Sequence, residues 1–208
     1  MENKVTRLEV QKKDKHRVNV FLDDKYALSL DIMLAATLKP GQKLSEDKIN
    51  ELKAEGEYSL ALNSAILFLG YRARSIKEME AYISVKKKYS QYTTNRVIEK
   101  LVKEKYLDDD GFARMWIENR VKFNPKGARA LFYELRNKGV EDAVIEDALL
   151  DYDDNKAAWS AVQKKILLWK KFESKKFQKK LYTFLSSRGF DYETTKDIYN
   201  RAIGINSD

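Results

Sequence analysis

The sequence predicts a mainly α fold: an elongated tandem repeat of three-helix units, preceded by a small N-terminal antiparallel β segment. Three observations predict it. A helix-turn-helix pattern recurs along the chain, the first 30 residues alternate like strands, and the composition suits helices. Only 2 prolines and 8 glycines interrupt 208 residues, of which 43% are hydrophobic and 35% charged.

The recurring unit is an amphipathic helix ending in a basic residue and glycine or tyrosine, followed by a second short helix. Its middle copy runs Leu131, Leu135, Lys138-Gly139-Val140, Val144-Ile145 and Ala148-Leu149. A later copy runs Leu181, Leu185, Arg188-Gly189-Phe190, Thr194-Thr195 and Ile198-Tyr199. An earlier copy, with a few residues inserted at its turn, runs Met79, Ile83, Lys88-Tyr89, Val97-Ile98 and Leu101-Val102. Gly139 and Gly189 lie 50 residues apart, and self-similarity at such a period marks stacked helical units that share cores between neighbours.

Taken in order, Val5, Leu8 and Val10, then Val18, Val20 and Leu22, then Tyr26, Leu28 and Leu30 give three half-buried strands separated by turn-forming residues. Asp31 caps a short helix through Ile32, Leu34 and Leu38, which Pro40-Gly41 stops. Ser45 opens a longer helix with a break near Gly56 that runs to Leu69-Gly70. Ser75 and Glu78 have capping-box spacing. Thr93 or Thr94 caps the next helix, and Asp108-Asp109-Asp110 opens another that Asn124-Pro125 ends. Gly127 to Lys138 and Glu141 to Leu150 form the middle pair, and Trp159, Val162, Ile166 and Trp169 stripe a longer helix. The segments read as 1–44, 45–70, 71–124, 125–172 and 173–208.

A net charge of +8 points to a polyanion or an acidic protein surface as partner. Zero cysteines exclude disulfides and thiol chemistry. No apolar run approaches the ~18–20 residues that span a bilayer, so a soluble, cytoplasmic protein without membrane contact is expected. Catalysis finds little support. The one histidine, His16, lies among charged residues, and Pro125-Lys126-Gly127-Ala128 lacks the rest of a phosphate loop. Asp108 to Asp110 suit a helix start better than a metal, since consecutive positions point apart. No cofactor or metal is called for.

The binding candidates are basic. Arg72 and Arg74 flank Ser75, while Lys126 and Arg129 stand at the corresponding start of the middle unit, with Arg114, Arg120 and Lys122 on the helix between. They form either a basic track along one edge or a scattered solvated face. A denser cluster holds Lys164, Lys165, Lys170, Lys171, Lys175, Lys176, Lys179 and Lys180, with Glu173 its only acid. Such lysines suit phosphates or acidic protein patches and carry no base-reading information. Trp116, Trp159 and Trp169 have core spacing, which favours burial over base stacking.

Tyr71 to Met79, Tyr106 to Ala113 with Trp116 and Arg120, then Lys126-Gly127 and Glu134 to Val140 together resemble the RecX family of recombination regulators. The resemblance covers roughly 61–149, and the N-terminal segment is similar to that of longer Gram-positive members. It implies tandem three-helix units in a crescent and a monomeric, non-enzymatic modulator of the RecA recombinase filament on DNA. Such a modulator acts in DNA repair, recombination and the SOS response, and mostly inhibits ATPase activity, filament extension and strand exchange. The rival reading is a stand-alone single-stranded DNA-binding protein that competes with RecA.

Overall fold

A computed structural model describes residues 2–204. Residue 1 and residues 205–208, which the sequence reading places in the first and last segments, lie outside the described residues. The chain forms two compact units, one of the residues up to Arg74 with Met79–Tyr106, the other of Ser75–Glu78 with the residues from Leu107 onward.

In the first unit, β1 (Glu2–Val10), β2 (Arg17–Leu22) and β3 (Lys25–Asp31) form the expected antiparallel meander. A fourth strand, β4 (Lys43–Ser45), pairs with Glu2 to Lys4 and gives the order β3-β2-β1-β4. Three residues are too few to show an alternation, so β4 left no sequence signal. The inward residues Val5, Val20 and Leu30 are fully buried with Leu44 and Leu52. Asp31 caps α1 (Ile32–Ala35) by accepting from the amides of Met33 and Leu34, though α1 stops short of Leu38.

Ser45 caps α2 (Glu46–Tyr71) as expected, but the helix does not break at Gly56. Gly56 is buried on β3, where an added Cβ would lie 2.6 Å from the Ser29 carbonyl oxygen. Its missing side chain lets helix and sheet touch, which is a second use of glycine that sequence alone does not separate from a break.

Next come α3 (Ile76–Ala81), a π-helical turn (Tyr82–Lys86) and α4 (Gln91–Lys103). The π turn corrects the alignment of the first copy. Tyr89 N–H reaches Ile83 O, six residues back, whereas Val140 and Phe190 reach Leu135 and Leu185, five back. One residue is therefore inserted in the helix, where π geometry absorbs it. Lys88, Gly139 and Gly189 then occupy the same left-handed turn, at φ 62°, 84° and 80°. Beyond it, Thr93-Thr94 is the counterpart of Val144-Ile145 and Thr194-Thr195, because Thr94, Ile145 and Thr195 each donate to the residue four back, at Ser90, Glu141 and Asp191. Ser90, not a threonine, caps α4, and both threonines are buried.

The second unit holds α5 (Asp109–Phe123), α6 (Ala128–Asn137), α7 (Asp142–Leu149), α8 (Asp154–Trp169), α9 (Ser174–Ser186) and α10 (Tyr192–Ile203). Phe112, Ala113 and Ile117 of α5 share one core with Leu131 and Leu135 of α6 and Ile145 of α7. Val162 and Ile166 of α8 share another with Leu181 and Leu185 of α9 and Ile198 of α10. Residues 124–125, where the sequence reading divides two segments, lie between α5 and α6, whose residues share the first of these cores.

Candidate nucleic-acid and protein interface

Paired aspartates occupy the same place at two helix starts. Asp108 caps its own helix by accepting from Asp110 N–H, while Asp109 accepts from Ile76 N–H at 2.9 Å. Forty-five residues on, Asp153 caps α8 and Asp154 accepts from Ala128 N–H at 2.8 Å. The second aspartate of each pair thus satisfies a free amide at the start of the preceding short helix. Burial raises the carboxyl pKa of both Asp109 and Asp154, with the backbone hydrogen bond working the other way and neighbouring carboxylates adding to the rise. Ser75 Oγ accepts from Glu78 N–H at 3.1 Å and donates to Lys138 O at 2.5 Å. Gly127 N–H donates to Arg188 O at 3.0 Å, and an added Cβ there would sit 2.2 Å from Gly189 O.

These joints decide which of the basic candidates face solvent with their charge open. Glu134 collects three donors: Trp116 Nε1 at 2.8 Å, Arg120 Nε at 2.7 Å and Lys126 Nζ at 2.5 Å. Burial works against its charge, but the bonds from Lys126, Trp116 and Arg120 outweigh it and hold the carboxyl below its usual range. Arg120 and Lys138 cover Trp116 from 4.7 and 4.3 Å, and Lys138 is itself paired with Glu78 at 2.9 Å. Tyr152 donates to Lys126 O at 2.6 Å, and burial, with Asp154 and Asp153 nearby, pushes its hydroxyl up to about 12. Arg114 is held by Asp110 and Asp147. Arg114, Arg120 and Lys126 are therefore paired with carboxylates, whereas Lys122 and Arg129 are exposed. Arg72 is exposed and bonds to Ala73 O, and Arg74 lies 3.8 Å over the Phe68 ring, which in turn stacks on Tyr82.

The later cluster is different. Among the described residues no carboxylate pairs with Lys164, Lys165, Lys170, Lys171, Lys175, Lys176, Lys179 or Lys180. Lys171, Lys176 and Lys180 gather round the Phe172 ring at 5.8, 4.9 and 5.1 Å, and Lys165 lies 5.1 Å from Phe184 and 5.8 Å from Trp169. A cleft of about 510 Å³ opens among Trp169, Lys176, Lys179, Lys180, Phe184 and Ser187. The three tryptophans are half-buried, as their spacing indicated, but Trp169 also forms one wall of this cleft, and that dual position had no separate sequence signal.

The three aspartates 108 to 110 have separate tasks, one on a cap, one on Ile76 and one on Arg114. Among the described residues no helix is long and apolar enough to cross a membrane.

Repeated three-helix units, the last of which displays lysines that no carboxylate pairs with among the described residues, define a mainly helical tandem-repeat protein. Residues 3–45 match the family model described as the regulatory protein RecX N-terminal domain, and residues 108–149 match the RecX second three-helix domain. The chain is 36% identical over 194 residues to the regulatory protein RecX of Bacillus subtilis (strain 168), covering 91% of this chain and 73% of that one. It is 32% identical over 198 residues to that of Listeria monocytogenes serotype 4b (strain CLIP80459), covering 93% and 73%. The chain belongs to the RecX family of regulatory proteins. Its fold is that of a crystal structure of regulatory protein RecX, with a TM-score of 0.73 at 21% identity, covering 95% of this chain and 99% of that one. A crystal structure of RecX from Lactobacillus salivarius aligns with a TM-score of 0.64 at 22% identity, covering 72% and 98%.

Proposed function

We propose that this protein binds the RecA filament on DNA and restrains its ATP hydrolysis, extension and strand exchange. Family membership supports the partner, and the open lysine face of the third repeat is the observation that carries the contact. That face costs the isolated fold something. Lys175 and Lys179, and Lys176 and Lys180, are like charges four apart on α9, and Lys175 and Lys176 stand in its first turn, where Glu173 at the N-cap is the one acid that complements the dipole. An anionic partner relieves both penalties. Arg114, Arg120 and Lys126 are paired with carboxylates and offer a partner less open charge, while Arg72, Arg74, Lys122 and Arg129 remain secondary contact candidates. In this reading the protein is a cytoplasmic monomer that needs no cofactor and leaves catalysis to RecA.

Several weak contacts in series give tight binding through effective concentration. A ligand spanning neighbouring protomers slows the filament only if it favours one filament state over another. The test is co-sedimentation with RecA filaments of the variant Lys171→Glu, Lys175→Glu, Lys179→Glu. Binding should weaken, and its salt slope should fall by about 2 if three phosphate contacts are lost. Unchanged affinity with intact helix content removes this face from the site. The cleft aromatics give the rival reading its support. A protein that acted by competing for bare DNA would bind single strands tightly without RecA.

A further inference from the structure

The cleft between α8 and α9 has a composition that phosphate binding alone does not explain. A surface that only tracked a charged backbone would need lysines on a polar ground. Here Lys176, Lys179 and Lys180 rim a cleft walled by Trp169 and Phe184, whose rings meet edge to face at 5.6 Å and 77°. Two further cations approach the Phe184 ring, Lys165 at 5.1 Å and Arg188 at 4.5 Å. Among the described residues no carboxylate lines it. Its volume, about 510 Å³, falls within the range of small-ligand clefts.

We infer that this cleft is a stacking subsite for an unpaired base of single-stranded nucleic acid, with the base against Trp169 and Phe184 and the flanking phosphates on Lys176, Lys179 and Lys180. This deepens the reading above and rests on its premise that the protein meets DNA. Charge complementarity selects a polyanion, and the aromatic walls select one with flat apolar faces. Duplex DNA keeps its bases stacked on each other and cannot fill the cleft. Stacking on aromatic side chains is tolerant of sequence, so discrimination is between single and double strands rather than between bases.

The experiment is fluorescence anisotropy of the full chain with three labelled probes of about a dozen nucleotides each: oligothymidylate, an abasic deoxyribose-phosphate strand of equal charge, and a duplex. Oligothymidylate should bind about five- to a hundredfold more tightly than the abasic strand for one stacked base. The substitution Phe184→Leu keeps apolar volume and should remove most of that ratio while leaving abasic binding as it was. Lys176→Glu with Lys180→Glu should weaken both strands together. Equal affinity for oligothymidylate and the abasic strand in the unaltered protein overturns the proposal without any variant. Failure to bind any strand at low salt does so too, and so does displacement by polyglutamate as readily as by oligothymidylate, which would make the ligand an acidic protein surface. If the ratio is absent while RecA filaments are still bound, only the stacking subsite fails and the broader reading stands.

Discussion

Replacing Glu134 with alanine removes the acceptor shared by Trp116, Arg120 and Lys126. The carboxylate is 19% exposed, and its cationic partners 29% and 27%. Removing one member of a fully buried ion pair costs about 3–5 kcal/mol, and an exposed pair about 0–1. The hub lies between these limits, but one acceptor serves two cations and an indole, so a loss of roughly 2–3 kcal/mol is expected at pH 7. For a chain of this size each kcal/mol moves the thermal midpoint by roughly 2–4 °C, so the variant should melt about 4–12 °C lower. The pH dependence has a definite sign. Glu134 is held below its ordinary value of 4.5 in the fold, so its stabilisation is present above that value and lost as pH falls through the folded one. Melting curves of both proteins from pH 7 to pH 3 measure this directly. A difference at pH 7 that shrinks below about pH 4.5 is expected. Equal midpoints at pH 7, or a gap that persists undiminished in acid, refute the hub.

The joints make further predictions. Gly127→Ala places a methyl 2.2 Å from Gly189 O, where backbone must yield, so a loss of about 2–3 kcal/mol is expected in thermal melts. Gly70→Ala, on α2 with nothing within 4 Å of the new carbon, should instead stabilise by about 0.5–1 kcal/mol. Ser75→Ala loses both the Glu78 amide and the Lys138 carbonyl as partners, and urea titration should show a loss of about 1–2 kcal/mol. Asp154 has a raised folded pKa, so its contribution is fully present below 3.8 and is lost as pH rises through the folded value. Asp154→Asn keeps an acceptor for Ala128 without the charge, and a stability-versus-pH profile should show that decline removed.

Much of the fold was legible because local chemistry repeats. Asp31, Ser45, Ser75 and Asp108 cap the helices they precede, since a cap needs only one oxygen at the right offset. The misses share a cause, which is that tertiary contact decides between two local readings. Gly56 is a contact and not a break because Ser29 lies against it. Thr93 and Thr94 are buried inside α4 and not caps because Ser90, three residues before Thr93, accepts from its amide. For the proposed binding face, the cluster from Lys164 to Lys180 was visible in the sequence because those lysines have almost no acids nearby in the chain. The neutralisation of Arg120 and Lys126 was not visible, since Glu134 comes from another helix, and of the two acids on Arg114 only Asp110 is its neighbour in the chain, Asp147 lying 33 residues away.

The most direct measurement is the ATPase rate of the cognate RecA on single-stranded DNA while this protein is titrated from well below one copy per RecA. Direct action on the filament predicts suppression at those low ratios. An unchanged rate until the protein has saturated the DNA would contradict it and leave competition for the strand as the mechanism.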